Sequence, residues 1–553
     1  MNGKRNKGIL SVIDVICCIV LALAFTAAPS YINEGICKLS LGYLFSSAAF
    51  FIILLFGVLI VRMYLQTHRW NESIHTTKTL QKLDSIFSSK FCIWYSTGII
   101  LLCWSIPLVC LYPGTLANDT WGELQQFISF SNGCGGLSDH HPLLDTMLMG
   151  SFIVNLSNLT GRWHLVIFMY VLLQAFLTSF SFAYAVNYTY KKLQLGTVLT
   201  LVLLLIYCFL PIYPSGVQVV SKDSLFSWGF TLFFVYFLEI IRTKGMVCKE
   251  KKFLTIFTVL ALFCCLTKKV GFYVVLLSLA ITVIFLKKNR VFLLIPLFCT
   301  VAVMNLAMPA VLTKLQVAPG GKQEMFSLPF QMTARYVKEY GEDILDDEYT
   351  VIDKVLTISD LAERYNPTNA DPVKDFYQKG TNRDYFNYIG VWARQGIRHP
   401  DAYISALNSM LAGWFSWSEY DPLMNMDWRN QLDPEIIPEW AAIRGFSDTT
   451  ANAYQEMYHS LYRIPFIQIF FSYGFYASLL PAFVVCTVLR KWKYAEIQYW
   501  LALLPFLFSL ILGCWLAPVS IHFEGRRYLQ PIIYTIPLLI MWCIFIYKHN
   551  SKE

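Results

Sequence analysis

The sequence predicts an all-α polytopic membrane protein, with about twelve transmembrane helices around one large, mainly helical domain in water. Three observations predict it. Hydrophobic residues make up 56% of the 553 residues and charged residues only 14%, with a mean hydropathy of +0.49; soluble domains are about one-quarter charged, because polar groups must cover their surface. Apolar runs recur from Ile9 to Ile546, many near the roughly 20 residues a helix needs to cross the hydrocarbon core. Between residues 313 and 465 these runs stop and charge rises.

In chain order the expected spans are 9–29, 40–62, 91–112, 163–187, 195–213, 223–241, 253–266, 270–286, 291–311, 466–489, 496–517 and 528–546. The first follows Lys4, Arg5 and Lys7 and carries Ala27 and Ala28 near its end, like a signal peptide. Its apolar stretch is too long for one and further spans follow, so it reads as an uncleaved helix. Basic clusters at 4–7, 62–90, 191–192, 242–252, 287–290 and 490–493, and Lys548, lie between spans. The positive-inside rule then sets both termini in the cytoplasm. The net charge of +8 is thus accounted for by topology, and nucleic acid is discounted as a partner. The 15 Cys residues lie mostly within apolar runs, as do Cys17, Cys18, Cys264 and Cys265, where a thiol behaves as a small hydrophobe. No zinc-like spacing occurs.

Two segments break the simple count. Residues 143–156 are apolar but short, and read as an interfacial or re-entrant helix in a first outer loop, 113–162. The run 254–286 is interrupted by Thr267, Lys268 and Lys269, and the break is expected at the outer face. The chain divides into an N-terminal membrane region (1–312), an extracytoplasmic domain (313–465) and a C-terminal membrane region (466–553). Within the domain, Pro319-Gly320-Gly321 and Asn366-Pro367 mark turns, and 333–345 and 403–415 read as amphipathic helices.

Acids and histidines are concentrated in the first outer loop. Asp119 and Glu123 are spaced four apart, so on a helix opened by Asp119 both carboxylates face one way, one of them near the positive end of the dipole. Such a pair can bind a cation or take a proton from an attacking hydroxyl; an N-cap with a solvated Glu123 is the plainer reading. Asp139, His140 and His141 follow before Pro142. Positive charge also falls on the wrong side: Lys222, Lys268, Lys269, Arg526 and Arg527 map to outer helix ends. An anionic ligand such as a lipid phosphate would explain them; so would snorkelling, or pairing with a neighbour such as Asp223. The run from Trp414 to Pro422 could stack on sugar rings or anchor the chain at the interface.

An acid just beyond an early helix, then His141-Pro142-Leu143 in the same loop, resembles the GT-C superfamily of polyprenyl-phosphate-sugar transferases. The likeness is closest to the protein mannosyltransferase and aminoarabinose transferase branch, with Leu143 standing where a second Pro is usual. The segments Ser221-Lys222-Asp223-Ser224 and Gly525-Arg526-Arg527-Tyr528 are similar to bacterial membrane proteins related to that superfamily. The resemblance implies transfer of a sugar from a polyprenyl-phosphate or diphosphate donor to a glycan, lipid or protein acceptor at the outer face. Asp119 would orient or deprotonate the acceptor, with Glu123, Asp139, His140 and His141 beside it. Lys222, Asp223, Lys268, Lys269, Arg526, Arg527 and Tyr528 would bind the substrate, the cations stabilising the leaving phosphate. No cofactor is implied with certainty, since the superfamily holds enzymes with and without a divalent cation. The competing readings are a transporter or flippase of lipid-linked glycans, and a surface-polysaccharide polymerase or ligase. The first would show paired repeats, which the sequence lacks; the second would centre on outer-loop Arg and His residues instead of Asp119.

Overall fold

The computed structural model describes residues 10–67, 78–286, 288–420, 448–491, 498–516 and 521–550. In chain order, α1 (Val12–Glu34) packs on α2 (Leu41–Thr67), followed by the short α3 (Lys78–Ser88) and by α4 (Cys92–Cys110). The next loop holds α5 (Asn118–Ser131) and α6 (Leu143–Thr160), and then come α7 (Trp163–Lys191), α8 (Gly196–Phe209), α9 (Ile212–Val217) and α10 (Lys222–Arg242). α11 (Lys251–Thr267) and α12 (Lys269–Phe285) pack on each other across a break at Lys268, the expected place. α13 (Arg290–Lys314) leads into the charged segment, which forms α14 (Ser327–Tyr340), α15 (Asp346–Asp353), α16 (Asn382–Arg398) and α17 (Pro400–Leu411). α18 (Asp448–Tyr462), α19 (Phe475–Arg490), α20 (Tyr499–Trp515) and α21 (Ile521–Asn550) complete the described chain.

Seven of these helices, α1, α2, α4, α7, α10, α13 and α21, are long and apolar enough to cross a membrane, and α8, α12, α19 and α20 are shorter apolar helices. Each expected span overlaps a described helix, but the one expected at 253–266, on α11, is in neither group, and residues 496, 497 and 517 of another lie outside the described residues. α6 is not among the seven. The apolar windows of α21 and α10 are 89% and 83% buried, those of α2 and α13 only 6% and 17%. α10 and α21 therefore form the protein's centre, while α2 and α13 turn apolar faces such as Ile52, Ile53, Phe56 and Leu306 outward, as lipid-facing helices do. Local signals fix the ends. Ser11 and Asp14 form a capping box at the start of α1, and Gly35 closes it in the left-handed conformation.

The charged segment has its own apolar cores, around Phe330, Ile352, Leu356 and Tyr388, and around Tyr336, Ala402, Ala406 and Met410. Its expected amphipathic helices are shifted: α14 starts six residues before Thr333, and α17 stops at Leu411 before a 3-10 turn, Ala412–Phe415. The segment sits on the C-terminal end of α1, where the Gly35 carbonyl accepts from Arg335 Nη1 at 2.6 Å and from Ser409 Oγ at 3.1 Å. The aromatic run is used in packing. Trp414 is buried and donates to the Cys514 carbonyl at 2.8 Å, and Trp417 lies 4.8 Å from the Phe25 ring; Asp421 and Pro422 lie outside the described residues.

At the opposite end of α1, Asp14 meets Arg62 at 2.8 Å and Arg490 at 3.3 Å. Arg62, with no exposed surface, also donates to Thr487 at 2.7 Å and to Tyr547 at 3.3 Å. Four helices, α1, α2, α19 and α21, are pinned there. A short sheet interrupts the helical architecture: β1 (Thr115–Leu116) and β2 (Val219–Val220) pair in parallel, Thr115 with Val219 and Leu116 with Val220.

Candidate functional site

That strand pair places two helix starts side by side. β1 runs into α5 and β2 into α10, and parallel register leaves both N-termini at the same level. The pairing needs a close approach at Gly114 (φ +103°), where a Cβ would lie 2.6 Å from Val171 and 2.8 Å from the Gln218 carbonyl. Gln174 of α7 holds β2 from behind, donating to the Val217 and Val219 carbonyls at 2.6 and 2.9 Å. Thr120 of α5 donates to the Val220 carbonyl at 2.8 Å. Ser221 caps α10 by accepting from the Ser224 amide at 3.1 Å. Two helix dipoles thus present positive ends to one spot.

Asp119 points into it. It does not cap α5, whose cap position is Ala117; its Oδ2 instead accepts from Lys222 Nζ and from Arg527 Nη1, each at 2.7 Å. Burial works against this carboxylate, but the charges of Lys222 and Arg527 outweigh it and hold the group well below the usual carboxylate range. Lys222 also contacts His141 Nδ1 at 2.7 Å. An ammonium can only donate, so Nδ1 accepts and the ring proton sits on Nε2. Burial and the charge of Lys222 push the His141 pKa down to about 3. His141 is a neutral prop for the lysine.

Glu123, one turn further along α5, faces inward and is fully buried. Thr146 donates to its Oε2 at 3.1 Å. Glu123 Oε1 and both carboxylate oxygens of Asp145, also fully buried, have no hydrogen-bond partner among the described residues. Burial first, with the charges of Asp119 and Asp223 adding, pushes Glu123 up to about 7. Burial and Glu123 raise Asp145 well above its ordinary value. Burial disfavours ionisation of both carboxyls, and the charge of Glu123 adds to it at Asp145, so the protonated forms are favoured. The sequence did carry one signal for Asp145: an acid three residues into an otherwise apolar helix.

The other residues singled out from the sequence arrange around this centre. Asp223 pairs with Lys268 at 2.6 Å, joining α10 to the break between α11 and α12. Lys269 lies on the rim, donating to the Asp139 carbonyl and standing 3.4 Å from its carboxylate. The rings of His140 and His141 meet edge to face at 4.5 Å, and burial lowers the His140 pKa. Tyr528 lies beside Arg527, 5.9 Å from guanidinium carbon to ring centre. Arg526 takes a different place from Arg527: it is buried and donates to the Ser215 carbonyl at 2.7 Å. The charged segment reaches the rim too. Asp139 N donates to the Ala318 carbonyl at 2.8 Å and Ala318 N to the Leu137 carbonyl at 2.9 Å. Among the described residues, no three His, Cys, Asp or Glu side chains are grouped to hold a metal ion; positive charge at Asp119 is supplied by Lys222 and Arg527.

The model of one protein family, described as a family of unknown function (DUF6020), matches residues 131–553. His141, Lys222, Asp223, Lys268, Arg526 and Arg527 lie within the match, and Asp119 and Glu123 precede it. No curated protein and no solved structure matches the chain.

Proposed function

The chain belongs to the DUF6020 family, a family of unknown function, and we propose that it is a membrane glycosyltransferase of the GT-C type, moving a sugar from a polyprenyl-phosphate or diphosphate donor to an acceptor at the outer face. The observation that carries this reading is the meeting of Asp119, Lys222 and Arg527, drawn from three distant segments, at the starts of two helices. In the twelve-span reading, with both termini in the cytoplasm, these residues lie at the outer membrane boundary, where a lipid-linked phosphate resides. Lys222 and Arg527 grip the phosphate, the guanidinium being suited to phosphate oxygens. Asp119 takes the acceptor's proton. Polyprenol and lipid acceptors reach the site from the membrane plane, and the charged segment above it shapes access for glycan or protein.

The test is a screen of the purified full chain against polyprenyl-phosphate and polyprenyl-diphosphate sugars, with products identified by mass spectrometry. A glycosylated product that depends on the donor is expected. Binding of lipid-linked glycans without any product would favour transport, a reading in which the buried Glu123 and Asp145 pair would serve proton coupling.

A further inference from the structure

We propose that Lys222 and Arg527 form a phosphate seat, that Asp119 fills it from within the chain, and that an incoming phosphate displaces the carboxylate and so makes it available as the base. The inference rests on the transferase reading and adds an order of events to it.

One oxygen, Asp119 Oδ2, receives both cations at 2.7 Å. That is the contact pattern a phosphate oxygen would make with the same two donors. The two helix starts beside it favour whichever anion occupies the spot. The side chains of Asp119, Lys222 and Arg527 are 28%, 19% and 12% exposed, so a ligand can reach the pair without the helices opening. A carboxylate shared between two cations is a poor proton acceptor, and a base in this position must be freed before it can act. The phosphate frees it by taking its partners. His141 Nδ1 keeps its hold on Lys222 Nζ and so preserves the lysine's position while the anions exchange.

Base activity therefore depends on the donor being bound. In the transfer step, the acceptor oxygen bonds to the anomeric carbon and its proton passes to Asp119. The bond between that carbon and the phosphate oxygen breaks, and its electron pair stays on the phosphate held by Lys222 and Arg527. Without a donor the carboxylate is locked, and an acceptor hydroxyl or water in the site is not activated.

Pyrophosphate, which carries no sugar, probes the seat alone. An internal competitor lowers apparent affinity by the fraction of time it occupies the site. Calorimetry on the full chain should therefore show Asp119→Asn binding pyrophosphate at least about tenfold more tightly than the unmodified protein, with Lys222→Met abolishing the gain. Equal or weaker binding by Asp119→Asn, or no binding by either protein, overturns the proposal. Should Asp119→Asn fail to fold, infrared difference spectra of the unmodified protein decide: saturating pyrophosphate should shift a carboxylate stretching band, and an unchanged band overturns it. Product formation from lipid-linked sugars is scored separately. Tighter binding by Asp119→Asn without any product removes the transferase reading and supports the seat; product without tighter binding removes the seat alone.

Discussion

Two buried charge clusters hold helices together in this protein, one at the start of α1 and one at the start of α10, and they are built differently. Around Asp14, Arg62 has no exposed surface and its two terminal nitrogens donate to Asp14, Thr487 and Tyr547. Ser11 caps the same aspartate at 2.7 Å. Around Asp119 the two cations converge on a single oxygen, and all three side chains keep some surface. With Asp14 and Arg62 shut off and, of its charged groups, only Arg490 keeping some surface, the first cluster is a clamp between helices. The second presents charge toward the outside, which costs stability unless something is to be bound there.

The strongest way to break this comparison is Asp119→Asn. It should leave the melting temperature of the purified protein nearly unchanged while turnover of a lipid-linked sugar falls by about 10² to 10⁴. A loss of folding instead would make Asp119 a second clamp. Arg62→Met should do the reverse, destabilising the fold by about 3 to 5 kcal/mol because Asp14 is left buried with a weaker partner set. Adding Asp14→Leu to that variant should recover much of the loss, as read by thermal melting. Third in size, Arg527→Ala should weaken donor binding by about 1.5 to 3 kcal/mol, measured by calorimetry, through loss of one charge-assisted hydrogen bond.

The smallest effect sharpens the picture behind the site. Glu123 holds its proton up to about pH 7 in the folded chain, above its ordinary value of 4.5. The folded state therefore binds this proton more tightly than the unfolded state, and stability is greatest below about pH 4.5 and falls as pH rises through 7. Glu123→Gln cannot ionise, so its melting temperature should decline less between pH 5 and 8 than that of the unmodified protein. Parallel curves would mean the pair does not titrate in this range.

Much of this architecture is legible in the sequence, for identifiable reasons. The interruption at Lys268 is visible because two charges stand out within an apolar run, and Asp119 is conspicuous as an acid just past a span. That Lys222 and Arg527 are the partners of Asp119 is not visible, since they lie 103 and 408 residues from it along the chain. Nor can the sequence choose between Arg526 and Arg527. Successive residues on a helix point about 100° apart, so one turns to the Ser215 carbonyl and the other to Asp119, and only the setting of α21 decides which. The parallel strand pair is hidden because two residues are too short for any periodicity. The acid at Asp145 stands out within an apolar helix, but its burial is not legible, because that helix reads as a membrane-surface element, where a single acid is expected to face water.

The two hydrogen bonds between residues 137–139 and Ala318 also govern how such chains can be recombined. A chimera that exchanges only the residues between α13 and α18 places a foreign seam beside His140, next to the Asp139 amide that Ala318 engages. The inserted piece brings its own version of residue 318, while the loop it must stitch to stays behind. A functional graft has to carry residues 137–141 along with the segment, as one transplanted unit, for the lysine prop at His141 to arrive in register.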